Sequence, residues 1–140
     1  MSIDRVLRKC NFSPVLSIHP DLRRAINIPD GWIKGNYQSY VSMINMCDVL
    51  ITDRSSIMFD FCCTRKPIII IDNNEFICNQ WMSVKDLDGI NWCRNYLELE
   101  KLLTNDCNLI GSEKLFEQQM DLCGGNSSKL LAKFIKEYTE

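Results

Sequence analysis

Asp53-Arg54-Ser55-Ser56 stands between the apolar stretch "DVLIT", at 48–52, and a helical pattern that opens at Ser55. Two adjacent hydroxyls where a strand hands over to a helix place uncharged donors beside unpaired backbone N–H groups and the positive end of a helix dipole, a setting suited to phosphate. The plain alternative is a helix cap, in which the serine hydroxyl accepts from the helix's own N–H groups and contributes about 1 kcal/mol. His19, in "SIHPDL", closes an earlier apolar run in the same way, and Pro20 fixes the chain that leaves it. In open parallel sheets ligands sit beyond the carboxyl ends of the strands, so polar groups ending neighbouring strands face one crevice. A lone histidine is otherwise an ordinary core or surface residue.

These residues need strands and helices to hold them. Ile3, Val6, Leu7 and Cys10 recur at helical spacing over 2–10, with Arg5, Arg8 and Lys9 mostly opposite. "PVLSI" (14–18), "DVLIT" and "PIIII" (67–71) read as buried strands, and "GWIKGN" (31–36) as turn, short strand, turn. Tyr40, Val41, Ile44 and Cys47 mark one face of a helix over 37–46, and 55–65 carries another; "DLRRAI" (21–26) reads as one helical turn. Further on, "NEFICNQWMSV" (74–84) reads as helix and "GINWC" (89–93) as a short extended piece. "YLELEKLLTN" (96–105), 112–122 and 127–138 read as helices, the last two separated by "CGGN". Helices alternating with apolar, unalternating strands imply an α/β domain whose parallel sheet is covered on both faces. The expected sheet has about four strands, near 14–18, 32–34, 48–52 and 67–71.

The totals fit one globular domain of 140 residues, with 46% hydrophobic and 24% charged residues. A net charge of −2 supplies no basic field for nucleic acid or an anionic membrane, so an anionic ligand must be held locally. No run approaches the roughly 20 apolar residues of a membrane span. The start "MSIDRVLRKCNFSPV" lacks the apolar centre of a signal peptide, and a cytoplasmic protein is expected. The eight cysteines include no C-x-x-C pair and His19 is the only histidine, which leaves free thiols as the reading and no structural metal site. Cys62 and Cys63, adjacent on a helix, point in different directions.

"HP" at 19–20, "MCDVLITDRSSIMFDFCCTRKPIIIID" at 46–72 and "CGGNSSKLLAKFI" at 123–135 resemble, in order, the carboxyl-terminal domain of CDP-glycerol:poly(glycerophosphate) glycerophosphotransferases. The resemblance implies a three-layer, Rossmann-like GT-B second domain that binds the nucleotide of a CDP-linked polyol donor. Such enzymes build teichoic-acid-like or capsular polymers. Carried over by position, His19, Ser55 and Ser56 would hold the donor's pyrophosphate and Asp60 the ribose hydroxyls, while the loop at Lys34, Gly35 and Asn36 would lie near the base. Asp60 is equally readable as a capping carboxylate in the first turn. Arg54 stands where the family usually has an aromatic residue; it would add a phosphate contact or be a plain surface arginine.

Family members are far longer, and their acceptor half with its proposed histidine base has no counterpart here. The strand that normally precedes the first helix of the second domain, a central one, is also missing. The expectation is therefore a partial domain over 1–140, catalytically silent alone and needing no cofactor. The polymer acceptor would be bound through a missing domain or partner chain, which would also provide any peripheral contact with the inner membrane. Two other readings stay open. One is half of a GT-B glycosyltransferase or sugar-nucleotide epimerase, and the other a degenerate domain kept for interactions.

Overall fold

The computed structural model describes residues 2–18, 27–35, 40–53, 55–72, 87–104, 109–123 and 126–139. The described elements are α1 (Ile3–Lys9), β1 (Val15–Leu16), β2 (Ile33–Lys34), α2 (Tyr40–Met46), β3 (Leu50–Thr52) and α3 (Ile57–Phe61), which runs into a 3-10 turn at Cys62–Thr64. Then come β4 (Ile68–Ile71), β5 (Asn91–Cys93), α4 (Tyr96–Thr104), α5 (Glu113–Cys123) and α6 (Ser127–Thr139). The expected helices at 21–26 and 74–84 lie outside the described residues.

Local chemistry sets several of these boundaries. Ser2 caps α1, its hydroxyl accepting from the Arg5 N–H at 3.4 Å, with Asp4 in the first turn and Arg8 and Lys9 in the last, a charge order that complements the dipole. Asn95 opens α4 by accepting from the Leu97 and Glu98 N–H groups, both at 3.0 Å, and the Glu98 carboxylate accepts from the Arg94 N–H at 2.8 Å. That is close to a capping box. The turn after α3 ends on Arg65 in the left-handed region, φ 59°, with its guanidinium over the Phe116 ring.

All described strand pairs are parallel, and they form two sheets. β1 pairs with β2, and a second sheet has the order β3-β4-β5. The expectation of one four-stranded sheet is corrected here: its four segments are strands, but the first two do not pair with the other two among the described residues. The "GINWC" piece joins the second sheet as β5. Its polar Asn91 breaks the apolar pattern yet is buried, donating to Ile68 O at 3.0 Å and Ile110 O at 2.9 Å while accepting from the Ile110 N–H at 3.0 Å.

Helices cover both faces of the three-stranded sheet. Ile44 of α2, Met58 and Phe61 of α3, and Leu115 of α5 pack with Ile68 and Ile70 on one side. Val6 and Leu7 of α1, and Leu99 and Leu103 of α4, pack with Ile69 and Cys93 on the other. Successive residues of β4 thus enter opposite layers, which is why its sequence shows no alternation. Ile68, Ile69 and Ile70 are fully buried, each contributing about 2 kcal/mol through area removed from water. Cys62 is buried and Cys63 exposed, as their adjacency on a helix implies.

Candidate functional site

β3 delivers the chain to the serine pair. Three apolar and β-branched residues end at Thr52, Asp53 is exposed, and Ser55 and Ser56 stand exposed at the mouth of α3. Behind them α3 is fixed by Met58 and Phe61, 2% and 1% exposed, so the hydroxyls sit on a firmly packed support. The helix is started by backbone groups. Ser55 O accepts from the Met58 N–H at 3.3 Å and Ser56 O from the Phe59 N–H at 3.0 Å. Ser56, at the cap position, has helical backbone angles, φ −61° and ψ −14°, and its hydroxyl makes no capping hydrogen bond. The cap explanation therefore fails for Ser56. Its hydroxyl stands at the start of α3, where the Met58 and Phe59 N–H groups are already taken by the Ser55 and Ser56 carbonyls.

Asp60 lies one turn further along α3, exposed, and accepts a hydrogen bond from the Tyr40 hydroxyl of α2 at 2.9 Å. It is thereby an oriented acceptor rather than a capping group. Tyr40 was legible in the sequence only as part of a helix face. Lys66 is a second contributor with no sequence signal beyond its charge. Its ammonium donates to Asn45 O at 2.9 Å and Cys47 O at 2.8 Å, closing the carboxyl end of α2 just before β3 begins. Asp48 lies 3.8 Å from the same ammonium and is 91% exposed.

Gly35 follows β2 and has a packing reason to be glycine. A Cβ there would meet Met43 Sδ at 2.7 Å and Leu16 O at 3.1 Å. Its N–H donates to Leu16 O at 2.9 Å. Lys34 beside it is exposed. Ser55, Ser56 and Asp60 are thus brought together on α3, and Gly35 is placed against α2. His19, Asn36 and Arg54 lie outside the described residues.

The charges near the pair decide what it can hold. Asp53 and Asp60 are both exposed carboxylates, so an anion at the mouth of α3 would have to draw on backbone N–H groups and the serine hydroxyls among the described residues. Among the described residues no three His, Cys, Asp or Glu side chains gather as metal ligands. Cys62 lies buried under α3, and burial pushes its thiol up to about 11, so it is no thiolate nucleophile at neutral pH.

Residues 8–75 match the family model described as CDP-Glycerol:Poly(glycerophosphate) glycerophosphotransferase. The teichoic acid glycerol-phosphate primase of Bacillus spizizenii (strain ATCC 23059 / NRRL B-14472 / W23) is 26% identical over 132 residues, covering 87% of this chain and 34% of the relative. The structure of the wall teichoic acid polymerase TagF is similar with a TM-score of 0.65 at 21% identity, covering 99% of this chain and 39% of that one. The chain thus spans about a third of the curated relative's length. Its fold is the mixed α/β, parallel-strand arrangement of that GT-B polymerase. Residues 8–75 are thus similar to the CDP-glycerol:poly(glycerophosphate) glycerophosphotransferase family.

Proposed function

We propose that residues 1–140 form the donor-binding domain, the second GT-B domain, of a glycerophosphotransferase that builds a teichoic-acid-like or capsular polymer. The donor is CDP-glycerol or a related CDP-polyol. Its pyrophosphate rests on the α3 mouth, held by Ser55, Ser56 and the N–H groups there, with His19 and Arg54 supplying positive charge. Asp60, oriented by Tyr40, takes the ribose hydroxyls, and the loop at Lys34, Gly35 and Asn36 lies by the base. The observation that carries this reading is the Ser56 hydroxyl, which stands at a helix mouth inside the family-matched segment without capping the helix.

In the reaction, an acceptor hydroxyl attacks the phosphate that bears glycerol, and CMP leaves. The domain's contribution is to position that phosphate and to stabilise charge on the departing pyrophosphate oxygen. The acceptor polymer, and the base that deprotonates its hydroxyl, belong to polypeptide outside these residues or to a partner chain. The work is cytoplasmic, with any hold on the inner membrane provided by that other part. No described helix is long and apolar enough to cross a membrane. Calorimetric titration tests the reading. CDP and CDP-glycerol bind and UDP-glucose binds more weakly; a preference for the UDP-sugar would instead mark half of a glycosyltransferase or epimerase.

A further inference from the structure

Asp53 is a carboxylate that the fold leaves without a task. It follows β3 directly and is exposed, and its carboxylate accepts from the Thr52 hydroxyl at 3.5 Å, the long limit for such a bond. The described ion pairs join Arg8 with Asp4, Lys9 with Glu100, Lys66 with Asp48 and Lys133 with Glu137, so none reaches Asp53. Nor does Asp53 serve the helix dipole. It precedes Ile57 by four residues, outside the first turn of α3, where Asp60 already stands.

An anion at the serine pair makes this carboxylate unfavourable by itself. Two residues of chain reach at most about 7 Å, so Asp53 lies close to Ser55. At about 7 Å in water a like charge lowers affinity about threefold for each phosphate charge. A neutral residue there would hold a bare diphosphate better. A carboxylate is favoured where the ligand brings neutral donors to it, because a hydrogen bond to a charged acceptor is worth roughly ten- to a hundredfold.

Asp60 is the counterpart. It lies four residues beyond Ser56, about 6 Å along the helix axis, exposed and oriented by the Tyr40 hydroxyl. Acidic acceptors thus flank the hydroxyl pair in the order Asp53, Ser55, Ser56, Asp60. The complementary ligand carries hydroxyl donors on both sides of a diphosphate. On the donor-site reading the ribose brings one set to Asp60, which leaves the group esterified to the far phosphate to bring the other.

We propose that Asp53 accepts hydrogen bonds from free hydroxyls of that transferred group and so sets the substrate class. The class is a CDP-linked polyol with unsubstituted hydroxyls beside the phosphate ester. This rests on the donor-site reading and deepens it by assigning polyol selection to one residue.

Calorimetric titration with CDP-glycerol and with the propyl ester of CDP tests it. The two carry the same charge and carbon chain and differ only in the hydroxyls. The wild-type chain prefers CDP-glycerol about tenfold. Asp53→Ala removes the preference and binds the propyl ester about threefold or more tighter, since the repulsion is gone. Asp53→Asn, a neutral acceptor of the same shape, keeps part of the preference. Melting temperatures of both variants stay close to wild type, because Asp53 is exposed. Equal affinity of wild type for the two esters, or a preference that survives in Asp53→Ala, would overturn the proposal and leave the donor-site reading in place. Tighter binding of CDP-choline than of CDP-glycerol would also overturn it, by assigning the carboxylate to a cation. Failure of CDP itself to bind would defeat the donor-site reading and this inference together.

Discussion

The Tyr40 hydroxyl donates to the Asp60 carboxylate across 2.9 Å, linking α2 to α3 one turn beyond Ser56. The bond is exposed, so its net worth to folding is small, about 0.5–1 kcal/mol. Its value lies in aiming a carboxylate. Tyr40→Phe should leave the melting temperature within a few degrees and weaken CDP binding several-fold. Affinity for inorganic pyrophosphate, which has no ribose, should stay the same. Equal losses for both ligands would remove Asp60 from the ribose role.

Gly35→Ala should destabilise the fold by about 1–3 kcal/mol, because the new Cβ overlaps Met43 Sδ and presses on Leu16 O. Shortening Met43 in the same protein should restore only part of the loss, since the carbonyl belongs to β1 and cannot swing away. Denaturant unfolding of wild type, both single variants and the double variant measures the coupling. Full restoration would show that the carbonyl contact is harmless.

The thiols should separate by depth. Burial raises Cys62 and Cys93 to about 11, whereas Cys63, next to Cys62, is exposed. An aromatic disulfide reagent at pH 8 should modify Cys63 well before Cys62 or Cys93, which react only on unfolding. In denaturant without reductant all eight cysteines should titrate as free thiols. A lower count would indicate disulfides.

Acid should remove one tie between α1 and the loop before β2. The Trp32 indole N–H, then the Arg8 guanidinium, hold the Asp4 carboxyl below its ordinary 3.8. A lowered native value means stability present above 3.8 and lost as pH falls through the native value. The melting-temperature gap between wild type and Asp4→Asn should therefore be constant near neutrality and close only below about pH 4. A gap that persisted at pH 2 would assign the difference to packing.

Sequence patterns revealed the elements better than their assembly. "DVLIT", "PIIII" and the helix faces around Ile44 and Leu99 announce themselves, because one buried layer or two dictates their periodicity. β5 was legible as an extended piece but not as part of the sheet, because Asn91 interrupts its apolar pattern with a polar residue whose three hydrogen bonds make it acceptable in the core. The division into two sheets is a matter of long-range pairing, which no local pattern encodes. At the site, the serine pair and the position of Asp60 could be read. The Tyr40 bond could not, since it joins residues 20 apart on two different helices. Nor could the sequence tell whether Ser56 caps α3; that depends on backbone angles at one residue.

On the donor-domain reading the isolated chain should release no CMP above the uncatalysed rate from CDP-glycerol and a lipid-linked glycerophosphate primer, because that reading assigns the acceptor half and its base to other polypeptide. Coupled detection of CMP checks this. Robust turnover by the 140-residue chain would place the base within it.

Whether the Ser56 hydroxyl holds phosphate is settled most directly by calorimetric titration of CDP into wild type and Ser56→Ala, with melting temperatures measured on the same samples. The hydroxyl makes no capping bond, so its removal should barely touch stability, yet should weaken CDP by roughly 1–2 kcal/mol, the scale of a hydrogen bond to a charged group. His19→Ala should act likewise, with a larger loss below about pH 6.5, where imidazole is charged. Unchanged CDP affinity with a lowered melting temperature in Ser56→Ala would contradict the donor-site reading and reduce the serine to a structural role.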